Sequence, residues 1–158
     1  MNILIIGGGA IGSLLAARLG AAGHAITLLD RPQAAAALRA NGLRLVEADG
    51  RTLSPVVQIA SSPREAFGQT AFDLAVLAVK AYHTGDAAAD VSPLLPATTP
   101  LLSVQNGVGN EPLLAEALSA PILAGSLTTP VEVLAPGHVQ VARASHRLAV
   151  APWRGASQ

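Results

Sequence analysis

Near its start the chain carries Gly7-Gly8-Gly9-Ala10-Ile11-Gly12, which satisfies the pattern G-x-G-x-x-G. This spacing suits the binding of a dinucleotide diphosphate. The first glycine permits a tight turn, the second lets a pyrophosphate approach bare backbone, and the third lets a helix lie close to a sheet. A helix opening there, at Ala10 and Ile11, offers free N–H groups and about half a positive charge to the phosphates. Asp30 and Arg31 follow, and 30 − 12 = 18 residues separate Asp30 from the last glycine. A carboxylate at that distance accepts from ribose hydroxyls and favours NAD, whereas a guanidinium pairs with a 2′-phosphate and favours NADP. Both residues stand side by side, and the alternative for both is to cap the helix that begins at Pro32.

Lys80, the single lysine of the sequence, closes an apolar run from Phe72 to Val79. At the carboxyl end of a parallel strand its ammonium would meet the nicotinamide-side ribose or a substrate carboxylate, because ligands bind beyond those ends. The alternative is a solvated lysine at a strand end. Asn106 lies in Gln105-Asn106-Gly107-Val108-Gly109, just past another apolar run from Pro100 to Val104. Asn-Gly is a common turn pair, but the convergence of three strand ends makes Asn106 a candidate as well.

The elements that must hold these groups are legible from pattern. Asn2 to Ile6 is a short continuous apolar run, as expected of a strand buried on both faces. Ile11, Leu14, Leu15, Arg18, Leu19 and Ala22 recur at helical spacing, and Gly23 stops the helix. Ala25 to Asp30 is a second strand, and Pro32 opens a helix that Gly42 ends. Strand, helix, strand, helix is the order of a right-handed parallel α/β sheet. Residues 43–60, with Asp49-Gly50 between apolar runs at 43–46 and 56–59, read as a hairpin-like excursion. Ser62-Pro63 starts a short helix, and further helices are expected over 83–95 and 111–118. From Ile122 to Val150 the chain reads as further sheet, for which an antiparallel arrangement is open, with turns at Pro136-Gly137 and near Ala144-Ser145; Gly155 to Gln158 read as a frayed end. The fold class is thus α/β: a Rossmann-type doubly wound, mostly parallel sheet with additional C-terminal strands.

Composition narrows the function. Ten basic and ten acidic residues cancel, leaving no cationic field to displace counterions, so nucleic acid is not an expected partner. The absence of cysteine excludes disulfides, thiolate zinc sites and thiol nucleophiles. His24, His83, His138 and His146 show no metal-ligand spacing, and neither a G-x-S-x-G elbow nor a P-loop is present. The apolar start lacks a basic leader and is broken by glycines, so neither a signal peptide nor a membrane span is expected, and a cytoplasmic location is the default. Heavy use of alanine, with nine arginines to one lysine, hints at a GC-rich bacterial genome.

Taken together, Gly7–Gly12, Gly23-His24, Arg31, Ala78-Val79-Lys80-Ala81, Gln105-Asn106-Gly107-Val108-Gly109 and Pro136-Gly137-His138-Val139 resemble the N-terminal domain of the ketopantoate reductase (2-dehydropantoate 2-reductase) family, in the same order along essentially all 158 residues. The resemblance implies NADPH-dependent reduction of 2-dehydropantoate to pantoate, on the route to pantothenate and coenzyme A. It assigns Gly7 to Gly12 to the pyrophosphate, Arg31 to the 2′-phosphate and Lys80 to the cofactor. Asn106 would touch cofactor and substrate, and Val131 would supply a backbone contact. Asp30 beside Arg31 departs from the family and keeps NAD open beside NADP. The family's acid catalyst is a lysine in a helical C-terminal domain that these residues do not include, so no catalytic residue is assigned and residues 1–158 read as a dinucleotide-binding domain. The alternatives are a stand-alone NAD(P)-binding or regulatory module, and a reductase of another 2-oxo acid. A face left bare by the missing domain is expected to favour self-association.

Overall fold

The computed structural model describes residues 1–68, 70–144 and 147–154. Its first four elements are β1 (Asn2–Ile6), α1 (Ala10–Ala21), β2 (Ala25–Leu29) and α2 (Pro32–Asn41). There follow β3 (Arg44–Val46), β4 (Thr52–Leu53), β5 (Gln58–Ala60), α3 (Pro63–Phe67) and β6 (Leu74–Leu77). A 3-10 turn (Ala81–His83) then leads into α4 (Thr84–Val91), β7 (Leu101–Ser103) and α5 (Asn110–Ala117). The chain closes with β8 (Ile122–Leu127), β9 (Val131–Ala135), β10 (His138–Val141) and β11 (Leu148–Arg154). Among the described residues no helix is long and apolar enough to cross a membrane.

Seven strands form the central sheet in the order β11-β8-β7-β6-β1-β2-β5. All neighbours are parallel except β11, which runs antiparallel along β8. Strand order reverses at β1, the arrangement of a doubly wound sheet with its crevice between β1 and β6. The period-two geometry of a strand explains the unbroken apolar run of β1. Ile3 and Ile5 point into a core shared with Leu14, Ala17 and Leu38 of α1 and α2, while Leu4 and Ile6 point into the opposite core with Ala66, Ala88, Val91 and Leu114 of α3, α4 and α5. Each Leu, Ile or Val among them contributes about 1.5–3 kcal/mol when fully buried.

Two expectations are corrected, and a third is borne out with a division between sheets. The excursion at 43–60 is a hairpin only in its first part. β3 turns at Asp49-Gly50 onto β4, but Pro55 follows and β5 leaves to pair in parallel with β2. Val56, expected within the second arm, is fully exposed. The tail is further sheet with antiparallel pairing, as expected, but it is divided between two sheets. β8 and β11 belong to the central sheet, whereas β9 and β10 fold back beside β3, giving a second sheet in the order β4-β3-β10-β9. This small sheet also alters α1. The sequence reads as an amphipathic helix, yet Gly12 to Ala17 are buried without interruption. A helix covered on both sides has no solvent face, and Leu45, Val139 and Val141 of the second sheet share the core of α1.

The minor boundaries moved inward. The strand expected over 72–79 keeps only Leu74–Leu77, and Phe72 turns away into an edge-to-face contact with Phe67 at 5.4 Å. α4 spans Thr84–Val91, ending before Pro93. α3 opens as predicted: Ser62 Oγ accepts from the Glu65 amide at 3.2 Å, and Glu65 accepts from the Ser61 amide and hydroxyl at 2.7 Å. Those bonds from Ser61 hold the Glu65 carboxyl below its usual range. The turn at Pro136-Gly137 joins β9 to β10. The turn expected at Ala144-Ser145 falls in part, and the end at Gly155–Gln158 wholly, outside the described residues.

Candidate functional site

Parallel strands point all their carboxyl ends to one edge of the sheet, and that edge collects the candidate residues. β1 delivers the glycine loop, β2 delivers Asp30 and Arg31, β6 is followed by Lys80, and β7 by Asn106. Gly7 sits at φ 102°, and a Cβ there would meet Val79 Cγ1 at 2.8 Å and the Val79 amide nitrogen at 3.0 Å. Its own amide donates to Leu29 O at 2.8 Å, tying the loop to β2. A Cβ at Gly12 would overlap the Gly7 carbonyl, so only glycine lets α1 start this close to the strand. Gly9 is different: nothing lies within 4 Å of a Cβ built there. Its outer face is open backbone.

The N-terminus of α1 is bare. Gly9 is its N-cap and offers no side-chain cap, and the first turn holds no acidic residue. The first amides of a helix have no carbonyl a turn behind them, so Ala10 and Ile11 present their N–H groups outward beside Gly9. α3 in the same chain has both the serine cap and the first-turn glutamate that α1 lacks. The loop is nevertheless braced from within, by Ser13 Oγ donating to Gly8 O at 2.9 Å. An open glycine face, uncapped amides and a positive helix end fit a diphosphate, so the residues present suit a dinucleotide.

Asp30 neither caps α2 nor faces outward. Its Oδ2 accepts from the Gly8 amide at 2.7 Å and its Oδ1 from the Arg31 amide at 2.7 Å. The residue is partly buried, and α2 starts from Arg31 without any side-chain cap. Arg31 is exposed, and its guanidinium has no partner among the described residues. Lys80 and Asn106 are likewise exposed, with their side chains unpaired among the described residues. Val131 comes shortly after the carboxyl end of β8, which is parallel to β7. It opens β9 in the second sheet, pairs with Val141 and packs its half-buried side chain against the core around α1.

A set of residues that the sequence reading left without a role links the chain neighbours of Lys80 and Asn106. Gln105 is buried at 8% exposure, and its Nε2 donates to Val79 O at 2.9 Å and to Thr84 Oγ1 at 2.8 Å. Thr84 donates to Ala81 O at 2.7 Å, which uses its one hydroxyl proton. Asn110 lies 3.2 Å from that hydroxyl with its amide oxygen, while its buried Nδ2 has no partner. Turned over, the Asn110 amide would donate to Thr84 Oγ1, whose own proton goes to Ala81 O. The available signal was the amide at Gln105, a polar side chain at the end of an apolar strand. A surface groove of about 650 Å³ lies away from these residues, between the end of α2 and the approach to β5. Its lining holds none of the candidate residues, and the glycine-loop edge is singled out by its chemistry.

The model of the ketopantoate reductase PanE/ApbA family matches residues 3–155. The chain belongs to that family. Among curated ketopantoate reductase relatives, the 2-dehydropantoate 2-reductase of Mesorhizobium japonicum is 40% identical over 109 residues, which are 68% of this chain and 32% of that protein. The 2-dehydropantoate 2-reductase of Pyrococcus horikoshii is 35% identical over 141 residues, 89% of this chain and 44% of that one. The chain therefore spans less than half the length of these relatives. A crystal structure of a PanE/ApbA family ketopantoate reductase from Ralstonia eutropha JMP134 superposes with a TM-score of 0.85 at 32% identity, over 95% of this chain and 49% of that one. Octopine dehydrogenase, solved with NADH and agmatine, shares the fold at a TM-score of 0.83 and 18% identity, over 100% of this chain and 43% of that one.

Proposed function

We propose that residues 1–158 form the dinucleotide-binding half of an NADPH-dependent 2-dehydropantoate reductase. The observation that carries this reading is the division of labour at the end of β2: Asp30 is engaged by two backbone amides, while Arg31 stands exposed and unpaired. A carboxylate already turned onto Gly8 and Arg31 amides leaves the guanidinium as the group facing the adenine-side ribose, and a guanidinium matches a 2′-phosphate in charge and geometry. Gly7 to Gly12 hold the pyrophosphate at the bare start of α1, with Gly9 as the point of closest approach. Lys80 and Asn106 serve the nicotinamide side, where Asn106 also meets the substrate, and Val131 contributes through its backbone. When bound, the reduced nicotinamide supplies a hydride to a keto carbon. The chain's own residues orient that ring and the 2-oxo acid. No acid catalyst is assigned within residues 1–158, so binding rather than turnover is the property assigned to this chain alone.

Calorimetric titration with NADPH and NADH, on the wild type and on Arg31→Ala, tests the reading. Loss of a charge-assisted bond to the 2′-phosphate is expected to weaken NADPH by about 1.5–3 kcal/mol and leave NADH nearly unchanged. Equal losses for both cofactors remove Arg31 from this role, and no binding of either removes the cofactor reading.

A further inference from the structure

We propose that Gln105 is a positioning residue that fixes Lys80 and Asn106 to one another and so sets the nicotinamide side of the crevice. The inference rests on the cofactor reading above but concerns a residue with no outward face of its own. Gln105 is the immediate neighbour of Asn106, and Val79, whose carbonyl it binds at 2.9 Å, is the immediate neighbour of Lys80. Its second amide proton goes to Thr84 Oγ1 at 2.8 Å, on the far side of the turn that Lys80 begins. One carboxamide therefore grips the Lys80 segment before and after the lysine, from the residue that carries Asn106.

The remaining bonds leave the clamp little freedom. Ser103 Oγ donates to Gln105 Oε1 at 3.4 Å, which keeps the oxygen toward β7 and both protons toward the Lys80 segment. Thr84 is completely buried and returns its own proton to Ala81 O. No ladder bond is available to do the same work, since β6 ends at Leu77 and β7 at Ser103, short of both candidate residues. The last backbone tie between the two strands is Val104 N to Leu77 O at 3.1 Å. Beyond it, the Gln105 side chain ties the two segments at Val79 and Thr84, and the Thr84–Asn110 contact at 3.2 Å lies farther along, past Asn106. Methionine fills the same volume without donating, whereas glutamate would set a carboxylate oxygen against the Val79 carbonyl.

Adenosine 2′,5′-bisphosphate and NADPH separate this role from a general loss of structure. The former presents only the adenine-side groups, and the latter adds the nicotinamide side. In calorimetric titrations of the full chain, Gln105→Met is expected to keep adenosine 2′,5′-bisphosphate within about twofold of wild type and to weaken NADPH about tenfold, roughly one hydrogen bond's worth. In a Lys80→Ala, Asn106→Ala background the same substitution should change NADPH affinity by less than about twofold, because the groups it positions are gone. Equal weakening of both ligands, an unchanged NADPH affinity, or an effect that persists in the double-alanine background each overturns the proposal. If Gln105→Met does not fold, Thr84→Val, which removes one of the two acceptors, is read by the same criteria. Failure of the wild type to bind either ligand instead overturns the cofactor reading beneath it.

Discussion

Asp30 joins two backbone segments with one side chain, through the Gly8 amide on the glycine loop and the Arg31 amide at the start of α2. Its removal should therefore act on the shape of the loop rather than on the choice of cofactor. Asp30→Ala is expected to weaken NADPH and NADH together, by about 1.5–3 kcal/mol for a lost charge-assisted bond. The ratio of the two dissociation constants should stay within about threefold of wild type. A carboxylate that instead held the ribose hydroxyls would give the opposite pattern on deletion, NADH weaker and NADPH stronger, and that outcome in paired titrations rejects the loop-bracing role. At this scale the sequence revealed the candidate residues because their types are rare and their spacing is tied to strand ends. Gly7 to Gly12, Arg31, Lys80 and Asn106 all lie at one sheet edge. It did not reveal the direction in which Asp30 points, because ribose hydroxyls and the Gly8 amide are equally good donors to a carboxylate. For Gln105 the one local signal was a polar amide at the end of an apolar run; its partners Val79 and Thr84 were not legible, since they lie 26 and 21 positions away in sequence.

Among the elements, α1 depends most on its surroundings. It lies between the central sheet and the small second sheet, and Arg18 on its last turn reaches Glu47 beyond β3 with two bonds of 2.7 Å. Glu47 is only 7% exposed, so its carboxylate is held in the interior by that bidentate pairing. Losing the guanidinium removes two charge-assisted bonds from a carboxylate with little access to water. Arg18→Met should lower the unfolding free energy by about 3 kcal/mol in urea denaturation, and adding Glu47→Gln should recover part of the loss. A loss below about 0.5 kcal/mol in the single variant would mean that water already screens the pair. The helix itself was readable from Leu14, Leu15 and Leu19, and its end from Gly23. Its burial on all sides was not, because the covering strands β9 and β10 come more than 100 positions later and nothing in their alternation specifies β3 as a neighbour. For the same reason β5 was misread: Val57 and Ile59 fit a hairpin arm locally, and only the free edge of β2 draws the segment into a parallel pairing.

For the whole molecule, the layers cover the central sheet well around β1 and thinly toward the C-terminal strands. Leu148 at 41%, Val150 at 50% and Trp153 at 53% exposure lie on β11, and Val133 at 51% and Leu134 at 56% lie on β9. Isolated apolar residues on a surface are ordinary. These occupy strands that end their respective sheets, where unpaired N–H and C=O groups offer a template for another strand. Pro152 removes one donor from β11 and blunts its far end, leaving the stretch from Leu148 to Ala151 as the open portion. The chain spans less than half the length of the curated relatives it matches. On its own, the chain should therefore associate as its concentration rises, with a light-scattering mass above the 15.9 kDa of one copy. Val150→Lys places a charge on the open edge and should return the mass to that of one copy without altering the circular dichroism spectrum. A wild-type chain that scatters as one copy at millimolar concentration would show that β11 is already protected by its own twist and by Pro152.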